Sequence, residues 1–122
     1  AQNQDPWSVN ILASYAGEQI FTDTEFIEKT KKLISSERKR MYDEISCWKN
    51  VKIYESASNF MLVKLLTDKV DAAEIFDYMI REKMVIRDAA SFTFLDESFL
   101  RFCVLSPEEN TKFLTELKKI VE

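Results

Sequence analysis

Apolar residues recur along this chain at two spacings, and the switches between them mark its elements. Ile11, Leu12, Tyr15, Ala16 and Ile20 fall at helical intervals and predict a short amphipathic helix, preceded by the cap-and-proline signal Asp5-Pro6. Thr22-x-x-Glu25 reads as a capping box opening a longer helix, whose stripe runs Phe26, Ile27, Leu33, Ile34, Met41 and Ile45. Trp48-Lys49-Asn50 breaks that pattern. Val51 and Ile53 then alternate as a strand, and Asn59 to Leu65 reads as a more buried one. The intervening Glu55-Ser56-Ala57-Ser58 is short enough to favour antiparallel pairing. Thr67-Asp68 is the expected start of a helix with Val70, Ile75, Phe76, Met79 and Ile80 on its apolar face. Met84-Val85-Ile86 predicts a brief strand ending at Arg87-Asp88, and Ser98 to Leu105 a longer one. Ser106-Pro107-Glu108-Glu109 combines an N-cap, a first-position proline and a capping-box glutamate, so a final helix starts there. Phe113, Leu114, Leu117, Ile120 and Val121 form its stripe.

This order of elements predicts an α+β fold: a small, mostly antiparallel sheet with helices packed on one face. At 122 residues the chain has the length of one domain with a single core. Its one glycine, Gly17, falls inside the first predicted helix, so no glycine-rich phosphate loop is available.

Charge and composition narrow the function classes. A net charge of −4 leaves no basic excess to displace counterions from a nucleic acid. The densest basic run, Lys29 to Arg40, is interleaved with Glu28 and Glu37 and reads as a solvated helix face. Apolar runs are far shorter than the roughly 20 residues of a membrane span, and no charged-then-apolar leader opens the sequence. Cys47 and Cys103 stand far apart without metal-ligand spacing, which suggests a reducing compartment and a cytoplasmic protein. Histidine is absent, which removes Ser-His-Asp and Cys-His catalysis and histidine zinc sites.

The candidate chemistry centres on Arg101, alone in the middle of an apolar strand. Strand alternation puts Phe99, Arg101, Cys103 and Leu105 on one side, and Leu100, Phe102 and Val104 on the other. Arg101 either pairs with Asp88, Asp96 or Glu97, or awaits an anionic ligand that its planar fork can grip with two parallel bonds. Arg87 could converge on the same place across the loop that joins the two strands, although pairing with Asp88 or solvent is the plainer reading. Asn59 opens a strand, where closing the turn is the plainer role. Phe92, Phe94 and Phe99 are either core or an apolar surface for another domain.

Four short motifs occur in order: Pro6-Trp7-Ser8-Val9-Asn10, Ser58-Asn59-Phe60-Met61-Leu62-Val63, Val85-Ile86-Arg87-Asp88, and Leu100-Arg101-Phe102 with Ser106-Pro107-Glu108-Glu109-Asn110. Together they resemble the C-terminal part of the histidinol-phosphate aminotransferase family, fold-type-I pyridoxal-phosphate enzymes that include threonine-phosphate decarboxylase. The Pro-Trp-Ser-Val-Asn opening is closer to the decarboxylase. The resemblance implies a connecting helix over residues 1–20 and a C-terminal small domain over residues 21–122. It matches Arg101 to the arginine that binds the anionic end of the substrate, and Arg87 to one that helps hold a substrate phosphate. Asn59 is carried as a third substrate-binding candidate.

The family's Schiff-base lysine lies in a Ser-x-Ser-Lys-like segment upstream of the matched region, as do its other cofactor-binding groups. The resemblance therefore implies no catalytic residue here, no metal, and pyridoxal 5′-phosphate held only by the intact parent. It implies a large domain as partner, a homodimeric parent, a small phosphorylated substrate, and a segment inactive by itself. Exposed apolar patches around the first helix and the Phe92–Phe99 loop are expected on that reading. The residues alone also allow a freestanding module that binds a small anion or a partner protein.

Overall fold

A computed structural model describes residues 10–122. Its elements are α1 (Ile11–Ile20), α2 (Thr24–Ile45), β1 (Val51–Ile53), β2 (Phe60–Leu65), α3 (Ala72–Arg81), β3 (Arg87–Asp88), β4 (Phe99–Cys103) and α4 (Pro107–Val121). The chain forms two compact units, and the division between Lys32 and Leu33 falls within α2. The expected Asp5-Pro6 helix signal, and all but Asn10 of the first motif, lie outside the described residues.

In the first unit, Asn10 caps α1, its Oδ1 accepting the Ala13 N–H at 2.8 Å. No residue of α1 is buried, and Ile11, Leu12, Tyr15 and Phe21 are all largely exposed. The helix start expected at Thr22 belongs instead to its neighbour: Asp23 Oδ1 accepts the Phe26 N–H at 2.9 Å, and helix α2 begins at Thr24. Thr22 turns back, its hydroxyl donating to the Gln19 carbonyl. An aspartate one residue downstream is the stronger acceptor for a helix N-terminus.

The second unit is the expected α+β arrangement. Its antiparallel sheet has the order β1-β2-β4-β3. Met61, Val63, Leu65, Leu100, Phe102 and Val104 point to one face and join Met41, Ile45, Ile75, Met79, Leu114 and Leu117 of the helices in a single core. Burying each such side chain contributes on the order of 2 kcal/mol, so this core is the main source of stability. Trp48, read as a pattern break, is buried in it.

Three expectations shift here. Helix α3 starts at Ala72, not near Thr67-Asp68, because Asp71 and Glu74 form a complete capping box: Glu74 N–H to Asp71 at 2.8 Å, and Asp71 N–H to Glu74 at 3.0 Å. Val70 and Ile75, the staple positions around that box, both reach the core. The strand expected at Met84-Val85-Ile86 forms only at Arg87-Asp88. The cause is a left-handed Lys83 (φ 61°) ending α3, with the Met84 N–H bonded back to the Met79 carbonyl at 2.8 Å. That turn delivers Ile86 to the core before the chain reaches the sheet edge. The strand expected over Ser98–Leu105 is regular over Phe99–Cys103, with Ser98 and Val104 each adding one backbone bond at its ends.

Lys83 carries a Cβ in a conformation that favours glycine. Lys83→Gly is expected to raise stability by about 1 kcal/mol, read as a higher urea midpoint at unchanged slope.

The basic run Lys29–Arg40 is not uniformly solvated, because Glu37 is 7% exposed. Arg40 grips Glu37 at 2.7–3.2 Å, and Asn110 of α4 donates to it at 2.8 Å. Among the described residues no helix is long and apolar enough to cross a membrane.

Candidate functional site: two facing arginines

Strand alternation fixes what the sheet face opposite the core carries. Because Leu100 and Phe102 are buried in the core, Arg101 and Cys103 must point the other way, and both are half-buried there. Antiparallel register sets Leu62 opposite Arg101 on β2, and Arg87 opposite Arg101 on β3. The two arginines are therefore direct cross-strand partners. Like charges facing each other across a ladder destabilise it by up to about 1 kcal/mol unless something compensates.

No carboxylate does so among the described residues, where neither arginine enters an ion pair. Asp88, the neighbour expected to neutralise Arg87, accepts the Ala90 N–H at 2.8 Å. Asp96 is occupied by the Ser98 backbone at 2.9 Å and by the Ser98 hydroxyl, bonds that hold its carboxyl below the usual range. The ion-pair reading of Arg101 is thus unsupported.

Aromatic rings take the carboxylates' place. The Arg101 guanidinium lies 4.6 Å from the Phe60 ring centre and 5.2 Å from that of Phe92. Arg87 lies 5.6 Å from the same Phe92 ring and donates to the Ser91 hydroxyl at 3.4 Å. Each such contact is worth about 0.5–1 kcal/mol at an exposed site, enough to offset the mutual repulsion without cancelling either charge. Phe60, Val85, Arg87, Arg101 and Cys103 belong to the wall of a shallow depression of about 330 Å³. Lys52 over Tyr54 (5.0 Å) and Lys64 over Phe99 (5.2 Å) repeat the motif on the same face.

Asn59, the third candidate, stands apart from the pair. It is exposed at the start of β2, three residues from Leu62, and its carbonyl accepts the Val104 N–H at 2.8 Å. That backbone contact extends the β2–β4 ladder by one residue, while Ser56 and Ser58 make the hydrogen bonds of the turn before β2. Phe60 and Phe92 went unrecognised as partners of the arginines. Register links Phe60 to Cys103, next to Arg101 on the same face, but Phe92 comes from a loop whose path no spacing encodes. Among the described residues no cluster of acidic or cysteine side chains could hold a metal ion.

Chemically, the pair offers two forked cations in register, with planar N–H donors and no carboxylate partner among the described residues. A phosphate monoester, carrying up to two charges and three terminal oxygens, complements that geometry.

No family model matches the chain. A histidinol-phosphate aminotransferase of Dehalococcoides mccartyi is 37% identical over 121 residues, covering 98% of this chain and 32% of the relative. The crystal structure of the histidinol-phosphate aminotransferase from Clostridium acetobutylicum superposes with a TM-score of 0.82 at 32% identity, over 98% of this chain and 35% of that one. The L-threonine-O-3-phosphate decarboxylase from Porphyromonas gingivalis gives a TM-score of 0.80 at 30% identity, over 98% of this chain and 36% of that one. The chain spans about a third of the length of the curated relatives it matches. By sequence and by fold, nearly the whole chain matches about a third of histidinol-phosphate aminotransferases and threonine-phosphate decarboxylases.

Proposed function

We propose that this chain is the substrate-binding small domain of a pyridoxal-phosphate enzyme acting on a phosphorylated amino compound, by aminotransfer or decarboxylation. The observation that carries the reading is the facing pair Arg87 and Arg101, unneutralised by any carboxylate among the described residues. On this reading residues 1–20 connect to a large domain and residues 21–122 are the C-terminal domain, within a cytoplasmic homodimer.

The residues described here do not make a cofactor site of their own. The sheet face carries Arg87 and Arg101 together with Lys52 and Lys64, and both lysines lie over aromatic rings. When bound by the rest of the enzyme, pyridoxal phosphate supplies the electron sink. This chain's contribution is positional. Arg87 and Arg101 grip the substrate's anionic end and so fix the bond to be broken against a reactive centre held elsewhere. The segment alone is accordingly inactive.

The test is titration of the chain with O-phosphothreonine and histidinol phosphate against their unphosphorylated counterparts, following the arginine Nε–H resonances. The phosphorylated compounds are expected to shift Arg87 and Arg101 with saturation, and the unphosphorylated ones to leave them in place. Equal responses would remove the phosphate reading. Activity is tested on the full-length protein by carbon dioxide release from O-phosphothreonine and by amino exchange with histidinol phosphate.

A further inference from the structure

Among the described residues, Phe92 is the one ring that both facing guanidinium groups contact, at 5.6 Å for Arg87 and 5.2 Å for Arg101. Its position is set by the loop backbone rather than by burial. The Phe92 N–H bonds the Ala89 carbonyl at 3.0 Å, and the Leu95 N–H bonds the Phe92 carbonyl at 3.1 Å. Asp88 anchors the entry to these turns through the Ala90 N–H. Phe92 is 39% exposed and outside the hydrophobic core, so packing alone does not account for its place.

Physical chemistry distinguishes a ring from a carboxylate in this position. A carboxylate between two arginines would occupy their N–H donors and cancel their field. The negative face of an aromatic ring attracts both cations while leaving their edge N–H groups free. A guanidinium resting on a ring also has fewer orientations to lose when an anion arrives. Building on the phosphate reading of the pair, we propose that Phe92 is a positioning residue that clasps Arg87 and Arg101 into a single preorganised receptor for a phosphate monoester.

The test uses the whole chain, inorganic phosphate as probe, and the variants Phe92→Leu, Phe92→Met and Phe92→Tyr. In the absence of phosphate, the ring current of Phe92 is expected to shift the Nε–H resonances of both arginines. Leucine and methionine should abolish that shift, and tyrosine should keep it. The phosphate dissociation constant should rise about two- to fivefold in the leucine and methionine variants, the equivalent of one exposed cation–ring contact, and return to the parent value with tyrosine. Unchanged arginine shifts and affinity in the leucine and methionine variants would overturn the clasp while leaving the arginine pair as a phosphate site. Absence of phosphate binding by the unaltered chain would overturn the receptor together with the reading beneath it, whatever the ring does.

Discussion

Arg101→Ala is expected to lower kcat/KM for a phosphorylated substrate by roughly thirty- to a thousandfold in the full-length protein, while leaving this domain folded. The magnitude is that of one charge-assisted, two-pronged contact, about 2–4 kcal/mol. Stability should respond far less, because two effects oppose each other. The substitution removes the contacts of Arg101 with the Phe60 and Phe92 rings, about 0.5–1 kcal/mol each. It also relieves the repulsion from Arg87 across the ladder, worth up to about 1 kcal/mol. The net change in a urea melt is therefore expected within about 1 kcal/mol. Arg101→Lys should recover only part of the loss, since an ammonium keeps the charge but not the planar fork. Arg87 shares the same ligand, so the double variant should lose less than the sum of the two single losses. An Arg101→Ala enzyme that retained full efficiency on the phosphorylated compound would end the assignment.

How much of this was legible follows from how far apart in sequence the deciding groups lie. Alternation within β4 is local, so it put Arg101 and Cys103 on the face opposite Leu100 and Phe102 before any fold was known. The α4 start is also local: Ser106 and Glu109 cap each other as their spacing requires. Local signals misled where two acceptors competed within a few residues, as Thr22 did with Asp23 and Thr67-Asp68 with Asp71. The register that brings Arg87 to Arg101 depends on the left-handed turn at Lys83, and lysine gives no hint of such a turn. Glu37 looked solvated because its buried partner Asn110 stands on another helix. The same non-locality hid Phe92, whose loop must fold before its ring can meet either arginine.

The Glu37–Asn110 contact makes the strongest stability prediction. Asn110 is 1% exposed, and its amide is fully engaged. Its Oδ1 accepts the Leu105 N–H at 2.9 Å, and its Nδ2 donates to the Leu105 carbonyl at 3.0 Å and to Glu37 at 2.8 Å. Those bonds tie the segment leaving β4 to α4 and to α2, and so anchor the strand that carries Arg101. Asn110→Ala leaves a buried carboxylate short of a donor and two backbone groups unpaired, an expected loss of about 2–4 kcal/mol and on the order of 10 °C in Tm.

Acid sharpens the test. Hydrogen bonding from Arg40 first, then from Asn110, holds the Glu37 carboxyl below its ordinary value near 4.5, against the opposing effect of burial. A carboxyl lowered on folding contributes stability that is present above its unfolded value and lost as pH falls through the folded one. The unaltered protein should therefore weaken below about pH 4.5. Asn110→Ala, with one lowering bond gone, should release less stability on acidification and lose it over a higher window. Asn110→Asp should be the worst at neutral pH, because two carboxylates then face each other in a buried site, and should recover relative to alanine as acid protonates one of them. Urea melts at pH 7 and pH 3.5 separate these outcomes. An alanine variant within about 0.5 kcal/mol of the parent at neutral pH would mean that water, not Asn110, satisfies the end of the arginine's strand.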